Sequence, residues 1–106
     1  MSDKPVTKYQ LRPRALADLE HIWRDTARKR SVDQADKYVR GLDEAFDLLV
    51  EYPELERERK ELNPPVRLKR VEMHFIIYQI SNGVIDVIRI RHVSENWTTD
   101  PIGSER

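Results

Sequence analysis

The chain has 106 residues, 39% hydrophobic and 36% charged, enough for one domain with a small core and a salty surface. Lacking cysteine, it can build neither disulfides nor thiolate metal sites, which suits the cytoplasm. No apolar run approaches the ~20 residues of a membrane span, and Met1 to Pro5 lacks the apolar stretch of a signal peptide. The formal net charge is zero but unevenly spread: +4 over residues 1–30, −5 over 31–62, +3 over 63–93 and −2 over 94–106. That asymmetry bears on partners rather than on fold.

Taken in order, residues 1–5 read as a loose start and Val6–Leu11 as a short edge strand. Pro13 suits the first turn of a helix, where its missing N–H costs nothing. The three- and four-residue spacing of Ala15, Leu16, Leu19, Ile22, Trp23, Thr26 and Ala27 predicts a helix over 13–29. Arg28, Lys29 and Arg30 close it at the negative end of its dipole. Ser31 and Gln34 form a capping box that opens a second helix, 32–51. Its stripe is Ala35, Tyr38, Val39, Leu42, Ala45, Phe46 and Leu49, and Pro53 stops it. Gly41 in mid-helix predicts a close approach by helix one or a strand, which would offset a cost of roughly 1 kcal/mol against Ala. The very short link between the helices predicts an αα-hairpin.

A charged connection follows, over 53–65. Val66–Val71 alternates as a strand. Met73–Val93 then holds two β-rich runs around Asn82-Gly83, the pair best suited to a type I′ turn. An uninterrupted register from that turn sets Ile80 opposite Ile85, Tyr78 opposite Val87, Ile76 opposite Arg89 and His74 opposite Arg91 on one face. Phe75 with Ile90, Ile77 with Ile88 and Met73 with His92 would occupy the other. The order is β-α-α-β-β-β, an α+β fold with an antiparallel α-hairpin packed on a mostly antiparallel four-stranded sheet. It makes one domain spanning 1–106 with a tail over 98–106. A sheet oily on both faces needs cover on both. Helices enough for one face leave Ile76, Tyr78, Ile80, Ile85 and Val87, bordered by Arg89 and Arg91, as a half-covered surface for an amphipathic acidic segment.

Catalytic motifs are sparse. There is no Gly-rich phosphate loop, no G-x-S-x-G and no H-E-x-x-H. The register puts His74 and His92 on opposite faces, so no metal site is expected there. His92 with Arg67 and Arg89 could in principle move a proton beside a stabilised phosphate, as in RNA cleavage. The set lacks a clear second acid–base partner, and a packed histidine among solvated arginines accounts for it as well.

Three stretches carry a family likeness: Tyr9 through Trp23 (YQLRPRALADLEHIW), His74 through Tyr78 (HFIIY), and Val87 through His92 (VIRIRH) followed by Trp97. Over residues 8–97 the chain resembles the ParE branch of the RelE/ParE superfamily, the toxins of bacterial type II toxin–antitoxin pairs. Glu56 and Pro65-Val66 depart from the glycines common in that family, which affects the path of the connecting loop. The resemblance implies the β-α-α-β-β-β fold, no cofactor, and a cytoplasmic toxin. It implies a ParD-like ribbon-helix-helix antitoxin that wraps the toxin with its C-terminal segment. It also implies DNA gyrase as the target, contacted through Trp97 and His92, without catalysis. The RelE branch, which cuts mRNA on the ribosome, is the alternative, with His92, Arg67 and Arg89 as its catalytic residues.

Overall fold

The computed structural model describes residues 6–96 and 100–102. Trp97, the loose start and most of the tail lie outside the described residues. In chain order the elements are β1 (Lys8–Leu11), α1 (Pro13–Lys29), α2 (Val32–Glu51), β2 (Arg67–Val71), β3 (His74–Ser81) and β4 (Val84–His92).

Local chemistry explains the boundaries. Pro13 stands at the start of α1, and Arg28 and Lys29 fill its last turn. The Ser31 hydroxyl accepts the Gln34 N–H at 3.0 Å and caps α2. The predicted close approach at Gly41 is absent: a Cβ placed there would meet nothing within 4 Å.

The four strands form one sheet in the order β1-β4-β3-β2. β2, β3 and β4 run antiparallel, while β1 pairs in parallel with β4, so the sheet is mixed. At the β3–β4 turn Asn82 and Gly83 have φ of 52° and 74°, as a type I′ turn requires. The register runs as expected from Ser81↔Val84 to Tyr78↔Val87. There it breaks. Ile77 pairs with Arg89, leaving Ile88 as the extra residue of a β-bulge. Beyond the bulge every partner differs from the uninterrupted register: Ile76 faces Ile90, Phe75 faces Arg91 and His74 faces His92. The bulge coincides with the end of β1, which pairs no farther than Val87. With one neighbour gone, β4 is free to bend.

Two clusters form the core. One, under the helices, joins Ala15, Ile22, Leu42, Phe46 and Leu49 to Ile76, Tyr78, Ile85, Val87 and Ile90. The other fills the opposite face with Val66, Leu68, Ile77 and Ile88, covered by Leu62 of the connection and Ile102 of the tail. Ile76, Tyr78, Ile85 and Val87 are fully buried, and Ile80 packs against the same cluster. The expectation of a half-covered face is therefore corrected: those residues are the floor beneath the helices, and this chain closes both sides of its sheet.

Candidate functional site

The functional features gather at the end of the sheet beyond the bulge. β1 stops before reaching it, so the second half of β4 has an unpaired edge. Asp18 of α1 fills that place. Its carboxylate accepts the Ile90 N–H at 2.9 Å and the Arg89 Nε–H and Nη2–H at 2.7 and 2.9 Å. This side-chain pairing satisfies a strand edge and a half-buried guanidinium together. The hydrogen bond to Asp18 holds the Arg89 guanidinium above its ordinary pKa, against the effect of burial.

His74 and His92 face each other across β3 and β4, ring centroids 5.2 Å apart and nearly perpendicular. The inserted Ile88 puts them on one face, so their expected separation is corrected. The Tyr38 hydroxyl sits 2.7 Å from His74 Nδ1, accepts the Met73 N–H at 3.2 Å and approaches the Val71 carbonyl at 3.3 Å. It thus ties α2 to the β2–β3 turn, where Glu72 takes a left-handed φ of 52°. Burial pushes the His74 pKa below its ordinary value, and His92 opposite pushes it further, against the carboxylates of Glu95, Asp18 and Asp25. His92 Nδ1 accepts the Ser94 N–H at 3.1 Å, so the neutral ring carries its proton on Nε2.

Two cavities meet at these histidines. A groove of about 520 Å³ lies between the α1–α2 turn and the β2–β3 turn, and a recess of about 220 Å³ lies between α1 and the end of β4. They share Asp25, Thr26, His74 and His92. His21 also lines the recess, yet no group of three potential metal ligands forms among the described residues.

The other expected site residues go elsewhere. Arg67 donates to the Glu56 carbonyl at 2.6 Å, on β2 opposite Tyr78, several residues along the sheet from His92. Arg89 is committed to Asp18 and to the Ile102 carbonyl. Arg91 donates to Glu95 and to the Asp100 carbonyl. Arg89 and His92 line the recess together, whereas Arg67 lies apart, and the Arg89 guanidinium is taken up by Asp18 and the Ile102 carbonyl. Sequence reasoning missed Asp18, which lies outside the apolar stripe read for helix one, and the Tyr38 hydroxyl, whose ring was read only as part of the stripe of helix two. It missed Asp86 as well, a buried carboxylate that Arg12 grips with Nε and Nη2. Burial alone would raise the Asp86 pKa; hydrogen bonds from Arg12 and Gln10 outweigh it and hold the value low.

Residues 9–97 match the family described as ParE toxin of type II toxin–antitoxin system, parDE. The chain belongs to the ParE toxin family. The relative Toxin ParE1 of Mycobacterium tuberculosis (strain CDC 1551 / Oshkosh) is 37% identical over 87 residues, covering 81% of this chain and 89% of that one. Toxin ParE1 of Caulobacter vibrioides is 32% identical over 89 residues, covering 83% of this chain and 91% of that one. Among solved structures, the chromosomal ParDE TA system from P. aeruginosa includes a chain that superposes with a TM-score of 0.74 at 20% identity. That match covers 87% of this chain and 100% of the other, and it shows the shared fold. Within the ParE family the β-α-α-β-β-β order is thus the frame on which this chain places its histidine groove.

Proposed function

We propose that this ParE-family chain is a cytoplasmic, non-enzymatic toxin that inhibits DNA gyrase by protein–protein contact and is neutralised by a ParD-like antitoxin. The family match across residues 9–97 carries the proposal. The engagement of both candidate phosphate-binding arginines by the chain's own groups supports it. Cleaving RNA needs an acid–base residue and a phosphate-binding cation on the same few ångströms of substrate. Arg67 and Arg89 are instead bound to Glu56 and Asp18, on strands separated by β3. No helix is long and apolar enough to cross a membrane among the described residues. His92 opens into the shared groove, and with Trp97 it is the part of the chain we assign to the target.

The test uses purified chain in a gyrase supercoiling reaction and, in parallel, on translating ribosomes. Loss of supercoiling with accumulation of cleaved DNA is the expected result. Cleaved mRNA that disappears with a folded His92→Ala variant would replace this proposal with the ribonuclease one.

A further inference from the structure

Between Asp43 and Glu56 the chain carries six carboxylates and no lysine or arginine. Glu56 reaches Lys69 at 3.8 Å. Asp43, Glu44, Asp47, Glu51 and Glu54 are exposed and make no ion pair among the described residues, and Arg40, one turn earlier, bridges none of them. Asp43, Asp47 and Glu51 follow at four-residue steps, so like charges stand side by side on one face of α2. Burial raises the Asp43 pKa, and Asp47 raises it further. These acids approach the negative end of the α2 dipole, whose last turn holds no basic residue. The fold gains nothing from this arrangement; a cation from outside relieves it. Beside the acids lies apolar surface. Leu48 and Tyr52, one turn apart, are 36% and 53% exposed. The Leu55 N–H donates to the Tyr52 carbonyl at 3.0 Å, which turns the chain back and leaves Leu55, 49% exposed, at the same end. Leu42, Phe46 and Leu49 occupy the opposite side of this stretch of helix, in the core.

We infer that the C-terminal end of α2 is a docking surface for a lysine- or arginine-rich segment of a partner protein, with apolar side chains seated on Leu48, Tyr52 and Leu55 and cations on Asp47 and Glu51. Charge selects the occupant, because the acids of this surface are unopposed. Nucleic acid is repelled. A divalent cation answers the carboxylates but leaves Leu48, Tyr52 and Leu55 in water. A second copy of this chain brings Arg28, Lys29 and Arg30, of which the first two are already bridged to its own Asp25 at 2.7 and 3.4 Å. A cationic segment with apolar side chains answers both features: apolar contact supplies affinity, and charge pairing steers the encounter and fixes register. The surface is also separate from the histidine groove. From Gln34, which lines that groove, to Glu51 the helix rises roughly 25 Å, at about 1.5 Å per residue. A partner held here therefore leaves His92 open, and the docking surface depends on neither the gyrase nor the antitoxin reading.

The experiment titrates the ¹⁵N-labelled full chain with an amphipathic peptide of lysine and leucine at helical spacing, at physiological salt. The expected result is saturable binding whose amide shifts centre on Asp47, Leu48, Glu51 and Tyr52, with no binding of a glutamate–leucine peptide. Asp47→Lys and Tyr52→Ser, both at exposed positions, should each weaken binding at least tenfold while the spectrum stays folded. Asp33→Lys makes the same change of net charge in the first turn of α2 and should hold binding within about twofold of wild type. Equal weakening by Asp33→Lys and Asp47→Lys would mean attraction to overall charge alone, and it overturns the inference. Shifts centred elsewhere do so too, as does equal binding of a lysine–serine peptide, which would leave the apolar surface without a role. The same shifts from magnesium ion alone, or a dimer in sedimentation that Tyr52→Ser dissolves, would assign the surface to a cation or to a second copy instead.

Discussion

At the residue scale, Asp18 concentrates three roles in one carboxylate: it caps the edge of β4, neutralises Arg89 and anchors α1 to the sheet. Its side chain is 17% exposed and that of Arg89 14%, so neither ion is well solvated. Removing one partner strands the other, and such losses exceed what the pair contributes by itself. Asp18→Ala should cost about 2–4 kcal/mol in urea unfolding, with Asp18→Asn intermediate because an amide oxygen can still take the Ile90 N–H. A cost below about 0.5 kcal/mol, the level of an exposed pair, would mean that water replaces the carboxylate. His74 gives a pH signature. Its folded pKa lies below the ordinary 6.5, chiefly through burial, so the unfolded chain binds the proton first as pH falls. The groups facing it are His92, Tyr38, Glu72, Glu95, Asp18 and Asp25. Stability contributed by neutral His74 is complete above pH 6.5 and declines below it, down to the folded value. His74→Gln should flatten the stability profile in that window, and an unchanged slope would assign the pH dependence to other groups.

At the scale of elements, α2 offers two opposite tests. Phe46 is fully buried and its ring lies 5.0 Å from that of Tyr9, so Phe46→Ala should cost about 3–5 kcal/mol. Gly41 lies in the same helix with open space where a side chain would go. Gly41→Ala should stabilise by up to about 1 kcal/mol, from helix propensity alone, read as a higher urea midpoint at unchanged slope. The helices and the Asn82-Gly83 turn were legible because each has a local chemical cause: Pro13, Ser31 with Gln34, or a pair that tolerates positive φ. The bulge at Ile88 was not legible. Nothing in the run Val87, Ile88, Arg89, Ile90 marks an inserted residue, because its cause is tertiary, namely the end of β1 beside Val87 and the carboxylate of Asp18 reaching Ile90. One missed residue then moved His74 and His92 onto a common face and put Ile76 opposite Ile90. The candidate site was misplaced for a different reason: Tyr78, Ile80, Ile85 and Val87 lie on the turn side of the bulge, in the expected register, and their face is the one the helices cover. Its apolar members became core, its arginines became internal ties, and the groove emerged beyond the bulge instead.

At the scale of the molecule, the sheet is sealed on both sides, and the two seals differ. The helices cover one face with a continuous core, whereas the other is closed by Leu62 and a short piece of tail. Pro101 is buried, and Arg89 and Arg91 hold the carbonyls of Ile102 and Asp100 at 2.9 and 2.7 Å. Those arginines therefore secure the chain's own lid. Replacing Pro101 and Ile102 together by serine should remove about 2–3 kcal/mol, the value of one to two apolar side chains returned to water. It should also raise binding of a hydrophobic dye as Ile77 and Ile88 become accessible. An unchanged dye signal would mean that Leu62 and the connection close that face without the tail.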